Sequence, residues 1–134
     1  MTSESRGSPI VLFVDDEPAL RSLGRTILER NGYRVLEAED GIVALEVLRL
    51  QGGQVALVIL DLTMPRLSGR ETFRALQQLD QHVAVLFASG DSMEQRPSDE
   101  HDQIAGFVAK PYRPRELVAV VREVLRQRCT TRVG

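Results

Sequence analysis

The chain has 134 residues, 43% hydrophobic and 27% charged, with a net charge of −2, which suits one compact soluble domain with a single core. Its pI near 5.7 gives no basic field of the kind that draws nucleic acid. Its longest apolar runs reach six residues, too short to span a bilayer. The opening "MTSESRGSP" lacks the apolar stretch of a signal peptide and the single Cys129 has no internal partner, so a reducing cytoplasm is the expected compartment.

Residues 1–8 carry no apolar pattern and are expected to be disordered. "IVLFV" at Ile10–Val14 reads as a strand buried on both faces. A helix over 17–31 follows, with Leu20, Leu23 and Ile27 turned inward, Pro18 in its first turn and Gly32 as its stop. Arg34–Ala38 is a second strand, and Asp40 caps a second helix whose Ala44, Leu45 and Leu48 face the sheet before Gly52 and Gly53 end it. The third strand, 55–60, runs into Asp61. Ser68 and Glu71 then form a capping box for a helix with Phe73, Leu76 and Leu79 inward.

A fourth strand at 83–88 leads to "DSMEQRPSDEHDQ", residues 91–103, where Met93 is the only large apolar side chain and Pro97 falls in the middle. A helix there is expected to break before Pro97 and restart at Ser98. A fifth strand at 106–109 precedes a last helix, opened by Arg113-Pro114 and striped by Leu117, Val120, Val121 and Val124. The domain is expected to span 9–127, with 128–134 as a flexible tail. Strands alternating with helices in this rhythm predict a flavodoxin-like doubly wound α/β fold, a five-stranded parallel sheet of order 2-1-3-4-5 with helices on both faces.

In such a sheet every strand ends at the same edge, and ligands bind there where the strand order reverses. Strand 1 is followed by Asp15, Asp16 and Glu17, strand 3 by Asp61, strand 4 by Ser89 and strand 5 by Lys110. Any one of these residues is explained by a strand emerging into solvent. Their conjunction at one edge points to a site. Of 17 basic residues Lys110 is the only lysine, a bias that codon usage alone produces and that equally fits a position where a compact ammonium is required and a planar guanidinium is not equivalent. Clustered carboxylates resist ionising together unless a cation neutralises them. With Asp15, Asp16 and Asp61 taken as unpaired, the metal-free protein is expected to store repulsion. Oxygen-only ligands with open positions suit Mg²⁺, and a metal beside an ammonium and a hydroxyl suits phosphoryl transfer. No glycine-rich P-loop is present to cradle a nucleotide, so the phosphoryl group is expected on a protein atom, with Asp61 centrally placed to accept it.

"FVDDEP", "LDLTMPRLSG", "FASG" and "GFVAKPY" stand in the order and approximate spacing of one family. From about Pro9 to Gln127 the chain resembles the receiver domain of two-component response regulators. The resemblance implies that Asp61 accepts a phosphoryl group from the phosphohistidine of a sensor histidine kinase or phosphotransfer protein. It implies that Asp16, Asp61 and the backbone carbonyl of Thr63 bind Mg²⁺, while Asp15 orients a metal-bound water. Lys110 then pairs with the phosphoryl oxygens and Ser89 hydrogen-bonds one of them. Phe107 takes the place of the family's aromatic switch, although a residue of strand 5 serves equally as plain core. Lys110-Pro111 is expected to be a cis peptide. The domain signals by conformational change and is not an enzyme beyond intrinsic autodephosphorylation, with no nucleic-acid or membrane partner of its own. Several motifs look like the receiver of a hybrid histidine kinase, and a free-standing regulator is equally compatible.

Two rivals fail on particular residues. A haloacid dehalogenase-like phosphatase needs a second acid two positions after its nucleophile, where this chain has Thr63. A flavodoxin-type carrier needs a hydroxyl- and glycine-rich loop after strand 1, where three acids would repel a flavin phosphate.

Overall fold

The structure, a computed structural model, describes residues 9–51, 53–61, 69–79, 83–89, 104–110 and 112–133. Strands β1 (Ile10–Val14), β2 (Arg34–Ala38) and β3 (Val55–Asp61) alternate with helices α1 (Pro18–Arg30), α2 (Gly41–Gln51) and α3 (Gly69–Leu79), and β4 (Ala84–Ser89), β5 (Ile104–Ala109) and helix α4 (Pro114–Val133) follow. The five strands form one parallel sheet of order β2-β1-β3-β4-β5, as the sequence predicts. None of the described helices is long and apolar enough to cross a membrane.

Period-two alternation divides the sheet between two cores. Val11, Phe13, Leu57, Ile59 and Leu86 pack with Ile27 and Leu28 of α1 and Leu117, Val121 and Val124 of α4. Their neighbours Ile10, Leu12, Val14, Val58, Leu60, Val85 and Phe87 pack with Ala44 and Leu48 of α2 and Phe73 and Leu76 of α3. All five residues of β1 are buried, because they serve both cores. Each large side chain so buried stabilises the fold by roughly 1.5–3 kcal/mol against exposure.

The stop of α1 and the start of α2 are built as their sequences indicate. At the end of α1 the Tyr33 amide donates to the Leu28 carbonyl at 3.1 Å and the Gly32 amide to the Glu29 carbonyl at 3.2 Å. That is a Schellman motif, and Gly32 takes the left-handed conformation it needs, φ +93°. Asp40 caps α2 by accepting the Val43 amide at 2.9 Å.

Two inward assignments need correction. Leu23 is 40% exposed and Leu79 is 47% exposed. In α1 the centre of the buried stripe belongs to Gly24, because the Phe13 ring occupies the space a side chain there would fill. Leu23 lies one position, about 100° of helix, away from that centre. Leu79 is the last residue of α3 and overhangs the core beside Ile42 and Leu45. Strand β3 runs one residue longer than expected and β4 is shifted by one, so Asp61 and Ser89 are the final residues of β3 and β4, and β5 begins two residues earlier, at Ile104. Helix α4 continues to Val133, past the domain boundary expected at Gln127. Residues 1–8, the Ser68 cap, the expected helix break in 91–103 and the peptide to Pro111 lie outside the described residues.

A glycine inside a helix ordinarily costs about 1 kcal/mol relative to alanine. Here the sign reverses, because a Cβ at Gly24 would run into the fully buried Phe13 ring. Gly24→Ala is expected to lower stability by roughly 1–3 kcal/mol in urea denaturation. A gain in stability would show that Phe13 does not lie against α1.

Candidate functional site

Strand register assembles the site. Val14 of β1 pairs with Leu60 of β3, so the next residues, Asp15 and Asp61, fall side by side at the point where the strand order reverses. Both side chains are buried, Asp15 at 0% and Asp61 at 1% exposure, while Asp16 faces solvent. Carboxylate oxygens of Asp15, Asp16 and Asp61 all lie within 4.8 Å of one another.

The expectation that these acids are unpaired is wrong for Asp15 and Asp61. Lys110 follows β5 and places its ammonium between the two buried carboxylates, 3.2 Å from Asp15 Oδ2 and 3.1 Å from Asp61 Oδ2. The physical reason is the cost of burial: two desolvated carboxylates in contact require an opposite charge. Burial works to strip the proton from Lys110, but the hydrogen bond and charge of Asp61, seconded by Asp15, outweigh it and raise its pKa. Among the described residues three carboxylates face one ammonium, which leaves a negative excess and an exposed acid through which a cation can enter. Removing the charge of Asp16 relieves less repulsion than an unpaired cluster would store.

Asp15 is fixed from several directions. Its backbone amide donates to the Ala38 carbonyl of β2 at 3.1 Å. Its Oδ1 accepts the Glu17 amide at 2.9 Å, and its backbone carbonyl accepts Nη1 of Arg21 at 2.7 Å. The Tyr112 hydroxyl lies 3.5 Å from Oδ2, a weak donor contact by its length. Tyr112 is held in turn by Phe13, edge to face with ring centres 5.3 Å apart. Burial, followed by the charge of Asp15, raises the Tyr112 pKa far above the ordinary phenol value.

Arg21 lies outside the quoted motifs, and Tyr112, which closes "GFVAKPY", has no role assigned from sequence. A signal for Arg21 exists: a cation early in a helix opposes the helix dipole, so it needs a partner elsewhere. Tyr112 stands directly after Lys110-Pro111, and its phenol marks it as more than core filling. Of the other expected site residues, Ser89 ends β4 in register with Ala109 of β5, which brings its backbone to the same edge. Thr63 lies outside the described residues. Phe107 is half-buried and stacks on Phe87 with ring centres 5.9 Å apart, and Phe87 meets Phe73 at 5.5 Å. That contact joins it to the core without enclosing it.

Residues 11–122 match the family model described as the response regulator receiver domain. The chain belongs to the response regulator receiver family. It is 35% identical over 120 residues to the sensor kinase CckA of Brucella abortus (strain 2308), a match covering 89% of this chain and 13% of that protein. It is 34% identical over 124 residues to the transcriptional regulatory protein CpxR of Escherichia coli (strain K12), covering 87% of this chain and 49% of that one. The receiver thus spans half or less of the curated relatives it matches. Among solved structures, the receiver domain of the hybrid histidine kinase CckA superposes with a TM-score of 0.75 at 31% identity, covering 87% of this chain and 98% of that one. A response regulator receiver domain protein from Clostridium thermocellum reaches a TM-score of 0.84 at 22% identity, over 92% of this chain and 98% of that one, a likeness of fold. Receivers are signalling domains rather than enzymes, and the haloacid dehalogenase reading is not favoured.

The receiver's raised Lys110 and Tyr112 predict how the metal-free protein responds to alkali. Both groups hold their protons more tightly when folded. Their contribution is complete below the unfolded values, near 10 for both, and is lost as pH climbs toward the folded ones, where the unfolded chain releases protons first. Urea midpoints in EDTA are expected to be flat from neutrality to about pH 9 and to fall above about pH 10. Tyr112→Phe should make that fall shallower. An equal slope in parent and variant would remove the phenol from the site.

Proposed function

We propose that this receiver takes a phosphoryl group onto Asp61 from the phosphohistidine of a sensor histidine kinase or phosphotransfer protein, in a Mg²⁺-dependent reaction, and signals by the conformational change that follows. The observation that carries the reading is the register of β1 and β3, which sets Asp15, Asp16 and Asp61 within 4.8 Å of one another beside the single lysine of the chain.

The donor set fits the metal. It consists of oxygen alone, carries excess negative charge and opens to solvent at Asp16, as a hard cation that keeps several waters requires. In this reading Asp16, Asp61 and the backbone carbonyl of Thr63 hold Mg²⁺, and Asp15 orients one of its waters. Bound there, the ion supplies positive charge opposite the phosphoryl oxygens.

The chain's own residues do the rest. An oxygen of the Asp61 carboxylate attacks phosphorus, and the new O–P bond forms as the N–P bond to the donor imidazole breaks. The imidazole leaves with the bonding pair and takes up a proton. Lys110, already 3.1 Å from Asp61 Oδ2, exchanges a carboxylate partner for a phosphoryl oxygen and so keeps its charge compensated through the reaction. Ser89, at the end of the neighbouring strand, is assigned to hydrogen-bond another phosphoryl oxygen. Phe107 is assigned to report the change by repacking against Phe87, since it has no hydroxyl to offer. Hydrolysis of the acyl phosphate is left to intrinsic autodephosphorylation. The compartment proposed is the cytoplasm, and neither nucleic acid nor membrane is a proposed partner of this domain.

Incubation with Mg²⁺ and acetyl phosphate, or with beryllofluoride as a mimic, tests the assignment. The parent is expected to be modified or to bind the mimic, and Mg²⁺ alone is expected to raise its melting temperature by mass action. Asp61→Asn should abolish both modification and mimic binding. Lys110→Met should slow phosphorylation about 100-fold, and Lys110→Arg should not restore the rate, because the guanidinium is wider and differently hydrated. An Asp61→Asn protein that is labelled like the parent would defeat the assignment.

A further inference from the structure

Arg21 breaks a rule of helix design. It sits near the start of α1, a helix with no acid in its first turn, where the dipole disfavours a cation. Its side chain is nevertheless only 16% exposed. Two bonds account for its position. Nη1 donates to the Asp15 backbone carbonyl at 2.7 Å, and Nε donates to Glu37 Oε1 at 3.2 Å.

Glu37 is well placed to brace it. It lies on β2 in register with Phe13 and directly before Ala38, whose carbonyl accepts the Asp15 amide at 3.1 Å. Arg25 holds the other oxygen of Glu37 at 2.9 Å. The Arg25 contact, and after it burial and Arg21, act on a Glu37 carboxyl whose pKa is lowered, so the brace is charged at neutrality.

The carbonyl that Arg21 holds belongs to the peptide joining Asp15 to Asp16. That peptide is planar, so fixing its oxygen fixes the direction in which Asp16 leaves the strand. With the Asp15 amide tied to β2 and its Oδ1 tied to the Glu17 amide at 2.9 Å, the Arg21 bond completes the constraint. We propose that Arg21, braced by Glu37, is a positioning residue that sets the Asp15–Asp16 peptide and thereby the spacing of the metal-binding carboxylates. The inference rests on the metal site proposed above.

Geometry and electrostatics give opposite signs for the loss of Arg21. A guanidinium near an acidic site repels an incoming cation, so on charge alone its removal would tighten Mg²⁺ binding. If Arg21 instead positions the ligands, its removal loosens them, and partners that orient metal ligands are typically worth 10–100-fold in affinity. Arg25 supplies the control. It carries the same charge and shares Glu37, but its bonds run to Glu29 and Glu37 rather than to Asp15.

The experiment is an Mg²⁺ titration of the full chain followed by amide chemical shifts around Asp16 and Asp61, for the parent, Arg21→Met, Arg25→Met and Glu37→Gln. Arg21→Met is expected to bind about tenfold more weakly or worse, and Arg25→Met within a factor of about two of the parent, as loss of an exposed pair allows. With acetyl phosphate, Arg21→Met should recover most of the parent rate at saturating Mg²⁺, because Asp61 and Lys110 are untouched. If Arg21→Met fails to fold, Glu37→Gln carries the test, with weakened binding expected. Affinity of Arg21→Met, or of Glu37→Gln where Arg21→Met does not fold, equal to or tighter than the parent's would overturn the proposal, as would a rate loss that no Mg²⁺ concentration repairs. A parent that shows no Mg²⁺-dependent shift would bring down the metal site itself, and this inference with it.

Discussion

Two carboxylates on adjacent strands, both withdrawn from water, cannot remain ionised side by side without a compensating cation, and the ammonium of Lys110 supplies it from the far end of the sheet. The sheet order β2-β1-β3-β4-β5 puts β4 between the lysine's strand and that of Asp61. A long stem ending in a compact charge can cross that distance and touch Asp15 and Asp61 together, at 3.2 and 3.1 Å. A planar guanidinium would bond in a fork and spread its charge over a wider group. The constraint explains why a chain otherwise supplied with arginine keeps its one lysine here.

The hydrophobic core below the site serves the same end. Phe13 of β1 abuts the surface of Gly24 in α1 and packs edge to face with Tyr112, ring centres 5.3 Å apart. One ring therefore connects the strand that delivers Asp15, the helix that delivers Arg21, and the tyrosine whose hydroxyl reaches Asp15. Because interiors are close-packed, a change in the charge balance above Phe13 is felt by the elements below it. The proposed phosphoryl transfer replaces one partner of Lys110 with another at this junction, which gives a local reaction a route into packing. Phe107, half-buried and stacked on Phe87, lies over the opposite core and offers a second route.

Much of this was legible in the sequence for physical reasons. Continuous apolar runs identify strands buried on two faces, Asp40 and Gly32 punctuate helices, and parallel order forces Asp15, Asp61, Ser89 and Lys110 to one edge. What escaped depends on contacts between elements distant in the chain. Leu23 fits a helical stripe as well as its neighbours do, and only the Phe13 ring shows that Gly24 is the inward position. Nor does pattern alone reveal that Lys110 neutralises the acids before any metal arrives, or that the Tyr112 hydroxyl reaches Asp15. The bond from Arg21 to a backbone carbonyl leaves no motif at all, since any residue can present that oxygen.

The central claim is that the sheet edge makes Asp61 the atom donor of a new acyl phosphate. It is tested most directly by locating the modification. Protein treated with acetyl phosphate and Mg²⁺ is reduced with borohydride, which converts an acyl phosphate of aspartate to homoserine, and the modified residue is read by peptide mass mapping. The account predicts homoserine at position 61 alone, and none when EDTA replaces Mg²⁺. Homoserine at position 15 or 16, or labelling that does not depend on the metal, would contradict it.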